Sequence, residues 1–178
     1  MDNTALIERL LDVFRTHGYE GASLSIIAKA TGLQRASLYH RFPGGKEEMV
    51  EAALTRVDQV FESNVLAPLT EKGDPAARVR KMARRLGEFF SSGSRSCVLD
   101  TLSLGEATSP LLRHVQRSFV AWVDAMTAVA CDAGARPKAA RRRAEDALVS
   151  IQGGLIFSRA TGDTKPFERA LADLPATR

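Results

Sequence analysis

Along every long segment of this chain, apolar residues recur at three- and four-residue intervals, and no long segment alternates apolar with polar. A half-buried strand needs a period of two, whereas an amphipathic helix needs one near 3.6. This periodicity predicts an all-α fold, and the punctuation divides it into about nine helices. The first takes Asn3 or Thr4 as its cap, lines up Leu6, Ile7, Leu10, Leu11 and Phe14, and stops at Gly18. The second follows Ser23, whose hydroxyl suits free backbone N–H groups, and ends at Gly32. The third runs from about Gln34 to Arg41 and is broken by Pro43, Gly44 and Gly45. A long fourth helix is expected from Lys46 to about Leu66. Asp74 then caps and Pro75 opens a helix carrying Val79, Met82, Leu86, Phe89 and Phe90, and a short helix is expected between Cys97 and Leu104. Ser109 and Pro110 open a helix to about Asp132, and Pro137 opens one to about Ala160 that Gly162 closes. The last helix spans about Lys165 to Leu174, before Pro175.

Composition excludes several classes. With 178 residues and 44% hydrophobic side chains there is enough apolar surface for a packed core. The two cysteines, Cys97 and Cys131, make no disulfide framework, and His17, His40 and His114 are too scattered for a metal site, so neither metal nor cofactor is expected. Cys97 reads as a small buried hydrophobe. No apolar run approaches the roughly 20 residues that span a bilayer. The first residues lack the basic start of a secretion signal, so a cytoplasmic location is expected.

Charge is informative only locally. Residues 1–50 hold six basic and six acidic side chains, yet residues 28–46 hold Lys29, Arg35, Arg41 and Lys46 with no Asp or Glu. Within that window lies "GLQRASLYHRFPGGKEEMV", residues 32–50, a short helix with few apolar residues to hold it in place. A short helix, a glycine turn and a second short helix, braced by a preceding helix, outline a helix-turn-helix DNA reader. The second helix of such a pair enters a major groove, so its exposed face needs hydrogen-bond donors and must avoid carboxylates that phosphates repel. Gln34, Arg35 and Ser37 fit the edges of bases; Tyr39, His40 and Arg41 fit the sugar–phosphate backbone, and Lys46 reaches a phosphate from the next helix.

The stretch from Ala22 to Val50 resembles the N-terminal domain of TetR-family transcriptional regulators, through Ser23, Ile27, Ala28, Gly32, Leu38, Tyr39, His40, Phe42, Lys46 and Glu47. Its two-glycine "FPGGKEE" is similar to the lincomycin-resistance regulators of that family. The resemblance covers about residues 5–50. It implies a DNA-binding domain at residues 1–46, with Ser23 added to the DNA-binding set, and an effector-binding and dimerisation domain at residues 47–178. Three positions depart from the family pattern: Ile26 stands for a polar residue, Gln34 for the usual Ser cap, and Arg41 for the usual His. The Gln34 change is expected to weaken capping by about 1 kcal/mol.

The resemblance further implies a homodimer on a double-stranded operator, released by a small-molecule effector held among the middle helices. Phe61, Met82, Leu86, Phe89, Phe90, Phe119, Trp122 and Met126 are the expected effector pocket, and their rings and thioethers favour an apolar or aromatic ligand. Small residues at three- and four-residue intervals assign the dimer interface to Ala140, Ala144, Ala147, Ile151, Gly154, Leu155 and Ser158, together with Phe167. The basic clusters at Arg78–Arg85 and at Arg141–Arg143 read as solvated faces. A helical enzyme and a protein-interaction module are the alternatives; no nucleophile–base, metal or phosphate-loop pattern supports the first, so no enzymatic activity is expected.

Overall fold

The computed structural model of this chain describes residues 2–103 and 110–174. Nine α-helices follow one another, and no strand occurs among the described residues: α1 (Asn3–Gly21), α2 (Leu24–Thr31), α3 (Arg35–Arg41), α4 (Gly45–Phe61), α5 (Pro75–Phe89), α6 (Val98–Leu102), α7 (Pro110–Asp132), α8 (Pro137–Thr161) and α9 (Lys165–Ala172). The expected fourth helix is α-helical only to Phe61; Glu62–Leu66 widens into a π turn and Ala67–Thr70 tightens into a 3₁₀ turn. Pro68, which has no N–H to continue an α ladder, sits just after that change of winding. Leu104, Ser109 and Pro175, named above as helix boundaries, lie outside the described residues.

The chain divides into two compact units, Met1–Gln59 with Val98–Arg117 and Val60–Cys97 with Ser118–Arg178. The sequence placed a boundary after Lys46; by packing, the first unit runs on through Gln59 and takes in α6 as well. Its core is made by Leu6, Leu10, Phe14, Ile27, Leu38, Met49 and Leu54, all fully buried. The residue capping α1 is Asp2, with no side-chain bond, rather than Asn3 or Thr4. As expected the regular helix breaks at Gly18, where φ is 65°, although one more turn carries it to Gly21.

In the second unit Asp74 caps α5, accepting hydrogen bonds from the backbone N–H groups of Ala76 and Ala77 at 3.2 and 3.0 Å. Arg78 corrects the reading of its cluster as a solvated face, because it is only 9% exposed. Its guanidinium donates to the carbonyls of Leu69 and Glu71 at 2.9 and 3.1 Å and to Asp132 at 2.8 Å. Arg78 thereby closes off the 3₁₀ turn after α4, whose last carbonyls have no helix to continue into.

α9 lies across α8 with Phe167 fully buried. Gly154 permits that approach: a β-carbon there would stand 3.0 Å from the Cα of Phe167 and 3.2 Å from the carbonyl oxygen of Pro166. Those are backbone atoms, so α9 as a whole would have to move. Gly154→Val is therefore expected to lower unfolding free energy by about 2 kcal/mol, since overpacking of ~1–3 kcal/mol exceeds the few tenths that Val gains over Gly in a helix. Urea unfolding measures it, and a variant as stable as the parent would show that α9 retreats at no cost.

Candidate nucleic-acid interface

α2, the three residues Gly32, Leu33 and Gln34, and α3 make the candidate reader, and local chemistry sets each joint. Ser23 has extended backbone and its hydroxyl accepts from the N–H of Ile26 at 3.3 Å, which starts α2. Gly32 ends α2 in the left-handed region at φ 70°, with its N–H on the carbonyl of Ala28. Nothing but glycine takes that conformation without strain. Thr31, buried inside the turn, donates to the carbonyl of Ile27 at 2.8 Å and accepts from the N–H of Leu33 at 3.4 Å. From α1, Arg9 donates to the carbonyls of Ala30 and Thr31, both at 3.3 Å, and so closes the C-terminal end of α2.

α3 is anchored by Leu38, fully buried, and by Phe42 just beyond its end. Arg35, Ala36, Ser37, Tyr39, His40 and Arg41 are all exposed, so this helix presents donors and one aromatic ring to solvent and no carboxylate. Gln34 occupies the N-cap without a side-chain bond, in line with the weaker capping expected of it. The "PGG" break has a defined geometry. The N–H of Gly44 donates to Glu48 at 2.7 Å, Gly45 lies at φ 68°, and the ring of Tyr39 passes 3.5 Å from where a β-carbon on Gly45 would sit. One of the two carboxylates nearest the reader is thus engaged by backbone.

Arg35 and Lys46, both assigned to DNA, have partners within the first unit. The guanidinium of Arg35 donates to the hydroxyl of Ser25 on α2 at 2.5 Å. Lys46 donates to the carbonyl of Tyr19 at 2.9 Å and stands 4.2 Å from the centre of its ring. Burial, followed by the charges of Glu47 and Glu20, pushes the Tyr19 phenol above its ordinary range, so the ring under Lys46 stays neutral. Arg9, Tyr19 and Ser25 were missed in the sequence because each acts through a partner ten or more residues away. Only Ser25, polar and in the first turn of α2 beside the Ser23 cap, carried a local signal.

The eight residues assigned to an effector lie in the second unit. Met82, Leu86, Phe90, Trp122 and Met126 are buried, and Phe61, Phe89 and Phe119 are partly so. Phe61 meets Trp122 edge-on at 4.7 Å and Phe89 at 5.2 Å, and Phe89 meets Phe90 at 5.0 Å. The indole Nε1 of Trp122 is buried with no hydrogen-bond acceptor. This is a continuous aromatic cluster with one unsatisfied donor, suited to a ring-bearing molecule that carries an acceptor. Cys97 is buried, and Gln152 donates to its sulfur at 3.7 Å.

The eight residues assigned to a dimer interface are all buried within the single chain. That stripe of α8 packs against its own protomer, notably α9. The large apolar side chains that α8 leaves in solvent are Val149, Ile156 and Phe157, at 72%, 45% and 59% exposure. With Gly153, exposed and with open space around it, they follow the i, i+4, i+7, i+8 spacing of one helical face. Among the described residues no cluster of His, Cys, Asp and Glu is placed to hold a metal ion, and no helix is long and apolar enough to cross a membrane.

Comparison with known proteins agrees with this architecture. Residues 6–53 match the model of bacterial regulatory proteins of the tetR family, and residues 75–173 match the C-terminal domain of LmrA/YxaF-like transcriptional regulators. From Bacillus subtilis (strain 168), the uncharacterized HTH-type transcriptional regulator YxaF is 23% identical over 167 residues, which cover 92% of this chain and 87% of that protein. The HTH-type transcriptional regulator LmrA of the same organism is also 23% identical, covering 92% and 89%. A TetR transcriptional regulator from Legionella pneumophila has the same fold, with a TM-score of 0.86 at 18% identity over 98% of this chain and 96% of that one.

Proposed function

Because the chain belongs to the TetR family of transcriptional regulators, in its LmrA/YxaF-like branch, we propose that it is a homodimeric repressor that a small apolar or aromatic effector releases from a pseudo-palindromic operator. That it is a DNA-binding transcriptional regulator follows from the family, which points away from an enzyme. The observation that carries the reading is the exposed face of α3, rich in donors and free of carboxylates, following a helix that Ser23 caps and a glycine turn that Thr31 and Arg9 hold. Residues 1–46 supply this reader, with Ser23, Gln34, Arg35, Ser37, Tyr39, His40, Arg41 and Lys46 as its DNA-binding set. Arg35 is assigned to a guanine edge, exchanging its bond to Ser25 for one to the base.

Selection of bound duplexes from a random pool, followed by binding measurements at fixed salt, tests this. Arg35→Ala is expected to weaken operator binding by about tenfold to a hundredfold and to relax preference at one base pair per half-site. Lys46→Ala is expected to weaken all sequences alike and to flatten the salt dependence. Unchanged affinity in the Arg35 variant removes the assignment, and a pool that yields no palindrome removes the two-fold arrangement.

The effector is assigned to the second unit, at the aromatic cluster around Trp122. Helices α4 and α7 each contribute residues to both units, so the chain itself connects ligand site and reader. For release, the ligand has to favour the form that cannot hold the operator by a few kcal/mol. Dimerisation is assigned to the exposed face of α8 formed by Val149, Gly153, Ile156 and Phe157, which replaces the buried stripe expected from spacing. A cytoplasmic location is part of the same proposal.

A further inference from the structure

Lys46 stands in the first turn of α4, the end of a helix where the backbone dipole disfavours a cation. It is half-buried and is held from α1. The ammonium donates to the Tyr19 carbonyl at 2.9 Å and lies 4.2 Å from the centre of the Tyr19 ring, whose face is electron-rich. Both partners are neutral, so holding Lys46 there costs it none of its charge. An ammonium has three N–H donors, and the carbonyl takes one of them.

This perch exists because α1 is broken just before it. Gly18 has φ 65° and ψ −175°, a combination that side chains other than glycine hardly enter. Past Gly21 the helical ladder ends. The N–H of Ser23, which in a continued helix would bond the Tyr19 carbonyl, bonds Gly21 at 2.9 Å instead. The Tyr19 carbonyl is therefore open to a donor from α4. Lys46 differs here from Arg35, which has to leave Ser25 to reach a base. Lys46 can stay on Tyr19 and still offer N–H groups to a phosphate.

We infer that Tyr19 is a positioning residue of the DNA interface: its carbonyl and ring fix the Lys46 ammonium for a phosphate oxygen. A lysine left free would lose the freedom of a long side chain on binding, and one already seated loses less. The inference rests on the regulator reading above, with Lys46 on a phosphate, and adds to it a residue that acts through Lys46.

Operator binding at several salt concentrations tests it, with Tyr19→Leu, Tyr19→Phe, Lys46→Gln and the double variant Tyr19→Leu with Lys46→Gln. Tyr19→Leu is expected to weaken a selected operator by about threefold to fivefold. Its salt dependence should flatten part of the way toward that of Lys46→Gln. Tyr19→Phe keeps ring and carbonyl and is expected to restore both. In the Lys46→Gln background Tyr19→Leu is expected to change neither, since no ammonium is left to position. A loss of equal size in both backgrounds would mean that Tyr19 serves only the packing of α1, and overturns the inference. Parental affinity in Tyr19→Leu overturns it too.

Proton NMR of the free protein tests the perch without DNA. The Lys46 side-chain protons next to the ammonium are expected upfield of those of other lysines, through the ring current of Tyr19, in the parent and the Phe variant but not in the Leu variant. No such shift in the parent overturns the inference, even where a variant folds poorly. With the shift present, a Lys46→Gln variant that binds like the parent removes Lys46 from the DNA-binding set and the role of Tyr19 with it, while the selected palindrome still upholds the regulator. A parent that binds no duplex fails the regulator reading itself.

Discussion

Replacing Val149 and Phe157 together by Glu is expected to give a folded monomer that has lost operator binding. Both side chains lie mostly in solvent within the protomer, at 72% and 59% exposure, so the change removes no packing there and its stability should move by less than about 0.5 kcal/mol. In the dimer proposed above these positions lie in the contact between the two copies, where like charges buried in an apolar contact oppose association. A single reader meets one half-site and forfeits the gain of linking two binding events, worth roughly a hundredfold or more in affinity. The slope of log affinity against log salt should fall by about half, because half the phosphate contacts are gone. Sedimentation establishes the mass, and titration with a selected duplex establishes the affinity. A variant that stays dimeric refutes the assignment of this face. A monomer that binds as tightly as the parent refutes the two-headed mechanism.

The second large effect concerns stability. Arg78→Met keeps most of the side-chain stem but removes the donor from the buried carbonyl of Leu69, at about 1–3 kcal/mol, and from the part-buried carbonyl of Glu71, at less. Asp132 is more than half exposed and rehydrates when its partner goes, so the ion pair adds little. The expected loss is about 2–3 kcal/mol, or a fall in Tm of roughly 5–10 °C for a chain of this length. Asp132→Asn, which leaves both carbonyls satisfied, is expected to cost less than half as much. Thermal and urea unfolding of the pair decide the point: equal losses in the two variants would show that the ion pair, and not the carbonyls, is what Arg78 supports.

The reader was legible in the sequence because its determinants act within a turn or two. Ser23 caps the helix that begins at the next residue, Gly32 is needed where one helix must reverse into another, and Leu38 and Phe42 face inward by simple helical spacing. The absence of any carboxylate between residues 28 and 46 is visible without coordinates. Less legible was what the exposed side chains do. Lys46 reads as a phosphate donor, yet it turns to Tyr19, 27 residues earlier, and Arg35 rests on Ser25. In the second unit, spacing identified Trp122 and its aromatic neighbours as interior. It carried no sign of a hollow where α7 turns into α8, which small residues create by what they fail to fill.

The sequence by itself determined where helices start and stop, which residues share a face, and where positive charge stands unopposed. Those properties arise from bonds and contacts between residues up to four apart, and every long segment here agrees on them. Tertiary structure alone decided which face turns inward. α8 is apolar along two stripes, Ala140 to Ser158 and Val149 to Phe157, and spacing alone does not say which of them its own chain covers. The first is covered because Phe167 closes over Gly154, and the second is left to solvent. Arg78 is the same case, drawn from a basic run into the interior by the carbonyls of Leu69 and Glu71, where it also meets an acid 54 residues away. The free energy that makes these choices belongs to pairs of distant segments, and no local window of the chain contains it.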